Sequence, residues 1–174
     1  MVCGVLLRRG EKSVDNKLVV TGVGLILCTQ SHQGIQIMVI REIKEKPLIG
    51  KRAGMLSFPL ETQEAADEGS VIQTMQRCGR EELGIDEPAD VADYFPVATE
   101  FRLFPEARGY DIVTRYGIAW YVGPPDRSFS SASSEIEVMG WMTIPALLAS
   151  DLIRVETRPV CEDFLRRLPH LSWG

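Results

Sequence analysis

Four residues near the middle of the chain, Arg77, Glu81, Glu82 and Gly84, keep a spacing that chemistry could use. Adjacent carboxylates can hold a divalent metal ion through oxygen, and an arginine four residues before them can brace carboxylates with its planar fork. A simpler use exists, because Arg77 and Glu81 form an i,i+4 pair on a helix without any metal. The place of Glu82 separates the two readings. At about 100° per residue Val71, Met75 and Cys78 fall on one stripe, and Glu82 falls on its continuation, where an apolar residue is due. A buried carboxylate without a partner costs several kcal/mol, so Glu82 needs a cation, a donor array or water beside it. Cys78 itself reads as a small buried hydrophobe.

The helix that carries these residues has its limits written locally. Ser70 is a good N-cap, Gln73 three residues later can complete a capping box, and Gly84 can take the left-handed turn that closes the helix. Upstream, residues 2–7 read as a short strand and residues 10–17 as a polar turn. Residues 18–28 form a long apolar, β-branched run suited to a central strand. Turn chemistry at 29–34 and a strand at 35–43 predict an antiparallel hairpin, followed by a charged loop at 44–54. Residues 55–60 are extended and broken by Pro59, and residues 61–69 are an acidic connector whose Glu61, Glu64, Asp67 and Glu68 read as a solvated face. Lys51 and Arg52 read as solvated too. Strands are expected again at 94–103, 112–122 and 137–142, and helices at 145–150 and 160–168, the last with Phe164 and Leu168 inward and Arg166 and Arg167 outward. Strands, helix, strands and helices in that order predict an α+β class, a mixed sheet packed between helices.

The 174 residues suit one domain, residues 1–174, and 45% hydrophobic with 25% charged residues is a soluble globular composition. A net charge of -5 argues against a general nucleic-acid surface, though not against a nucleotide in a local pocket. Four scattered cysteines without a C-x-x-C pair suit a reduced, cytoplasmic protein, and no stretch reads as a signal peptide or a membrane span. The apolar early strands could support a homodimer.

Read from Pro59 to Ile85, the segment resembles the box of the Nudix hydrolase family, G-x5-E-x7-R-E-U-x-E-E-x-G-U with U aliphatic. Arg77, Glu81, Glu82, Gly84 and Ile85 match its second half, Ser57-Phe58-Pro59 matches the approach to it, and a strand with Trp141 followed by a helix agrees further along. The resemblance implies an α/β/α sandwich and Mg2+ or Mn2+ on Glu81 and Glu82. The implied reaction is water attack on a pyrophosphate in a nucleoside diphosphate derivative. Glu135, in a loop before the Trp141 strand, is similar to the loop glutamate that serves as base in some members, and Arg77 is the other candidate for a catalytic role. The chain also departs from the pattern. Leu60-Glu61 replaces the paired glycines, Gln63 and Gly69 occupy the places of the glycine and glutamate of the first half, and Cys78 stands where a metal-binding or catalytic glutamate follows the arginine. These losses imply the alternative of a Nudix-like domain that binds a nucleotide or a protein partner without turnover.

Overall fold

The computed structural model describes residues 18–85, 90–103 and 110–168. The readings at 2–7 and 10–17 lie outside the described residues. Among the described residues seven strands form one mixed sheet: β1 (Leu18–Ser31), β2 (Gly34–Glu42), β3 (Leu56–Ser57), β4 (Leu60–Thr62), β5 (Val91–Leu103), β6 (Tyr110–Tyr121) and β7 (Ile136–Thr143). The helices are α1 (Val71–Leu83), α2 (Ile144–Leu148) and α3 (Thr157–Arg167). The main path of the sheet runs β3, β2, β1, β6, β5, with β4 also paired to β1 and β7 to β2.

β1 is central, as its apolar run predicts. It pairs in parallel with β6 from Leu18 to Cys28, with β4 through Gly22, Val23 and Gly24, and with β2 near its end. The hairpin turn is shorter than the sequence suggests, because strand pairing continues to Ser31 opposite Gly34. The Ser31 hydroxyl closes the turn, accepting from the Gln33 N–H and donating to the Gly34 carbonyl. β5 begins three residues before the expected boundary, at Val91. Similarly, α3 begins at Thr157 rather than residue 160.

Alternation along the strands divides the core into two layers. Val23, Leu25, Leu27, Met38, Ile40, Ala119 and Tyr121 face one side, where Met75, Cys78 and Leu83 of α1 pack. Ile26, Cys28, Ile37, Val39, Tyr116 and Ile118 face the other, against Ile144 and Leu147 of α2 and Val160, Cys161 and Phe164 of α3. Gly24 is required where it stands, since a Cβ there would lie 2.4 Å from the Tyr116 ring. The sheet therefore sits between helices, and α1 meets the acidic segment that precedes it through Arg77. Among the described residues no helix is long and apolar enough to cross a membrane.

Candidate functional site

α1 forms where the caps place it. The Ser70 hydroxyl accepts from the Gln73 N–H at 3.3 Å, and Gly84, at φ 67°, donates its N–H to the carbonyls of Arg80 and Gly79. A full capping box occurs one turn earlier, in the short 3-10 turn Ala65–Asp67, where the Glu64 N–H donates to Asp67 Oδ2 at 2.8 Å and the Asp67 N–H donates to the Glu64 side chain. Asp67 is consequently buried, not part of a solvated face. Its carboxylate receives Arg77 Nη2 at 2.9 Å and Nε at 3.3 Å, while the same Nη2 donates to the Thr62 carbonyl at 2.6 Å. Arg77 is thus a fork that ties α1 to β4 and the 3-10 turn. Glu81, Glu61 and Glu64 lie 3.5, 3.6 and 3.8 Å from its Nη1.

The adjacent glutamates have different surroundings. The Glu81 side chain is half exposed and pairs with Arg77, as the simpler reading of the sequence expects. Glu82 is buried, and it accepts a long hydrogen bond, 3.5 Å, from Ser131 Oγ. Burial and the charge of Glu61 raise its carboxyl from an ordinary value near 4.5 to about 7, against the opposing charge of Lys51. Burial likewise raises the Glu61 carboxyl, offset by the Thr62 N–H and Arg77. Cys78 is completely buried, and desolvation together with the charges of Glu61 and Glu82 holds its thiol well above the usual range. A neutral thiol of this kind is neither a base nor a ligand for a hard cation. Glu61, read from the sequence as part of a solvated connector, is the carboxylate nearest in influence to Cys78, and it stands where the family pattern has glycine.

Glu135 sits at the end of the loop that docks on the C-terminal end of α1, where the Ala132 N–H meets the Glu81 carbonyl at 3.0 Å. Its carboxylate accepts from Lys46 Nζ at 2.6 Å, and that bond holds it below the ordinary carboxylate range, with Lys51 and Lys44 adding to the effect. Lys51 corrects its sequence reading. Only Arg52 is exposed; Lys51 is buried, with its ammonium 2.5 Å from Glu42 Oε2. Glu42 in turn receives Arg154 Nη1 at 3.1 Å, and Arg154 Nη2 lies 2.5 Å from Glu156. The sequence holds no short-range signal for this network, since Arg154 reaches Glu42 from 112 residues away.

By residue type the site suits a hard divalent cation, because its donors are carboxylates and its one sulfur is neutral. Among the described residues no three histidine, cysteine, aspartate or glutamate side chains are already gathered as a ligand set.

No protein-family model and no curated protein matches the sequence. Solved structures do. The Nudix domain of Shewanella oneidensis NrtR, complexed with ADP ribose, superposes with a TM-score of 0.66 at 15% identity, over 87% of this chain and 90% of that one. A Caenorhabditis elegans Ap4A hydrolase binary complex gives 0.60 at 18%, over 87% and 99%. A Francisella tularensis bifunctional NMN adenylyltransferase/ADP ribose pyrophosphatase, complexed with AMP and a manganese ion, gives 0.60 at 11%, over 87% of this chain and 42% of that longer one. The mixed sheet between helices described above is therefore the Nudix hydrolase fold.

Proposed function

We propose that this chain binds a nucleoside diphosphate derivative together with Mg2+ or Mn2+, and that it lacks the equipment to hydrolyse that ligand quickly. The observation that carries the reading is the state of the groups that would have to activate water. Cys78 is a buried neutral thiol at the place of a glutamate, and Glu135 is held in a bond to Lys46 that weakens it as a base. Binding capacity is better supported. Glu82 and Glu81 are the residues that would hold the ion, with the charge of Glu61 beside them. Glu82 has the surroundings of a carboxylate in want of a cation, being buried, next to another carboxylate and weakly hydrogen-bonded. When bound, the ion would neutralise pyrophosphate oxygens and supply a Lewis acid. Arg77 acts as the fork that holds the acidic segment against α1, and so positions Glu61 and Glu81.

The second reading is a pyrophosphohydrolase with Glu135 as base. It is favoured by one observation, the partial exposure of the ionised Glu135 side chain at the end of the loop that docks on α1. A panel of nucleoside diphosphate derivatives with Mg2+ or Mn2+, followed both for binding by calorimetry and for phosphate-bond cleavage, distinguishes the two. The expected result is saturable binding that Glu82→Gln weakens, with cleavage no faster than in that variant. Cleavage that Glu135→Gln lowers by about 10²-fold or more would establish the hydrolase instead.

A further inference from the structure

Between β6 and β7 the chain crosses the C-terminal end of α1 as Ser130-Ser131-Ala132-Ser133-Ser134-Glu135. None of these side chains is large and apolar, so hydrogen bonds and charge must hold the segment down. Its two ends are fixed. Phe129 packs on the Tyr121 and Trp141 rings, with centroids 5.3 and 5.6 Å away, and Ile136 is buried at the start of β7. Toward α1, the Ser130 N–H donates to the Leu83 carbonyl at 3.4 Å, the Ala132 N–H to the Glu81 carbonyl at 3.0 Å, and the Ser131 hydroxyl to Glu82 at 3.5 Å. Toward the loop after β2, the Glu135 carbonyl accepts from the Ile43 and Lys44 N–H groups at 2.8 and 3.4 Å, and Lys44 Nζ donates to the Ser134 hydroxyl at 3.0 Å. Lys46 Nζ completes this side, 2.6 Å from the Glu135 carboxylate.

Lys46 is itself held by a buried series of contacts. Its backbone bridges to that of Lys51, with N–H to carbonyl distances of 2.8 and 3.2 Å in the two directions. The Lys51 ammonium lies 2.5 Å from Glu42, Glu42 receives Arg154 at 3.1 Å, and Arg154 lies 2.5 Å from Glu156. No side chain in that series is more than 10% exposed, whereas Lys46 and Glu135 are 41% and 36% exposed. Separating a buried pair is costly, while an exposed pair holds weakly and is screened by salt. We infer that residues 130–135 are a lid over the acidic face of α1, that the Lys46–Glu135 pair is its latch, and that Lys51 and Arg154 are positioning residues that keep the latch lysine in place. The latch yields first and the buried series stays. Opening withdraws the Ser131 hydroxyl from Glu82, so the latch governs access to the carboxylate on which the proposed function rests.

Amide hydrogen exchange of the full chain, resolved by NMR, reads both edges of the lid. Ile43 and Lys44 report the latch side and Ala132 the α1 side, while Leu25, whose N–H donates to the Pro59 carbonyl at 2.9 Å in the core, reports global opening. At low salt Lys46→Met should exchange about threefold faster than wild type at Ile43, Lys44 and Ala132, the scale of an exposed ion pair, and no faster at Leu25. Lys46→Arg, which keeps the charge, should match the wild type. Salt at about 1 M, which shortens the range of charge to about 3 Å, should bring the wild type to the level of Lys46→Met and leave that variant unmoved. Lys51→Met should speed the same amides, and the double variant should exchange no faster than Lys46→Met alone, since Lys51 acts through Lys46. Lys46→Met lies at the surface and leaves the buried series intact, so it tests the latch even where Lys51→Met fails to fold. Unchanged exchange at Ile43 and Lys44 in Lys46→Met, or a salt response that persists in it, would overturn the latch. Faster exchange there with Ala132 unmoved would overturn the lid, and additive effects in the double variant would overturn the positioning role. These readouts use neither nucleotide nor metal, so the lid stands or falls separately from the proposed function.

Discussion

Replacing Glu82 by glutamine should make the protein more stable at pH 8 and leave it little changed at pH 5. The Glu82 carboxyl is raised from near 4.5 to about 7, first by burial and then by Glu61. The folded chain therefore binds this proton more firmly than the unfolded chain does. Its contribution to stability is present below pH 4.5, is lost as the pH climbs through 7, and stays lost above that. A rise of this size corresponds to about 3 kcal/mol at pH 8, at about 1.4 kcal/mol per pH unit. Glutamine has the same shape and carries no charge, so it escapes the penalty and gives up about 1 kcal/mol from the weaker bond to Ser131. The net gain is about 2 kcal/mol, which for a domain of this size is a rise of roughly 4 to 8 °C in Tm. Thermal unfolding of wild type and Glu82→Gln with a chelator present, at both pH values, measures it. Mn2+ should then stabilise the wild type at pH 8 and not the variant. A variant no more stable than wild type at pH 8, or equally favoured at both pH values, would refute the electrostatic picture of the site.

Other residues give separate tests. Arg77→Ala leaves the buried Asp67 carboxylate without its charged partner and should lower stability by about 3 to 5 kcal/mol, read by urea unfolding; a loss under 1 kcal/mol would show that Arg77 is not the fork described. Cys78→Glu puts the glutamate of the Nudix pattern at a position with no solvent exposure beside Glu61 and Glu82. It should unfold about 3 kcal/mol more easily than wild type in chelator and recover part of that loss in Mn2+, whereas no recovery would mean that the position does not adjoin the cation site. Gly24→Ala should cost about 1 to 3 kcal/mol through its collision with the Tyr116 ring, and unaltered unfolding would contradict the packing of β1 against β6.

Local rules made α1 legible from the sequence. Ser70 and Gly84 set its ends, and the stripe Val71, Met75, Cys78, Glu82 marked its inward face and the carboxylate out of place on it. The hairpin of β1 and β2 was legible for the same reason, since an apolar, β-branched run and the turn chemistry after it need only neighbouring residues. What depended on distant partners was not. Lys51 reads as a surface lysine until the loop brings it to Glu42, and Glu42 tolerates burial because Arg154 arrives from beyond the whole sheet. Asp67 and Glu61 read as solvent-facing because nothing nearby in sequence shows that Arg77 folds back over them. The end at Ser31 moved because pairing with β2 runs past the point where apolar residues stop, and the start at Val91 moved because pairing with β6 resumes across Asp93.

The most direct test of the proposed function is calorimetric titration of the wild type and Glu82→Gln with the panel of nucleoside diphosphate derivatives, in Mg2+ and in chelator, with product formation followed in the same samples. Saturable binding that requires the metal, fails in Glu82→Gln and leaves the ligand intact is the expected result. Binding that is indifferent to both metal and Glu82, or rapid cleavage by the wild type, would contradict it.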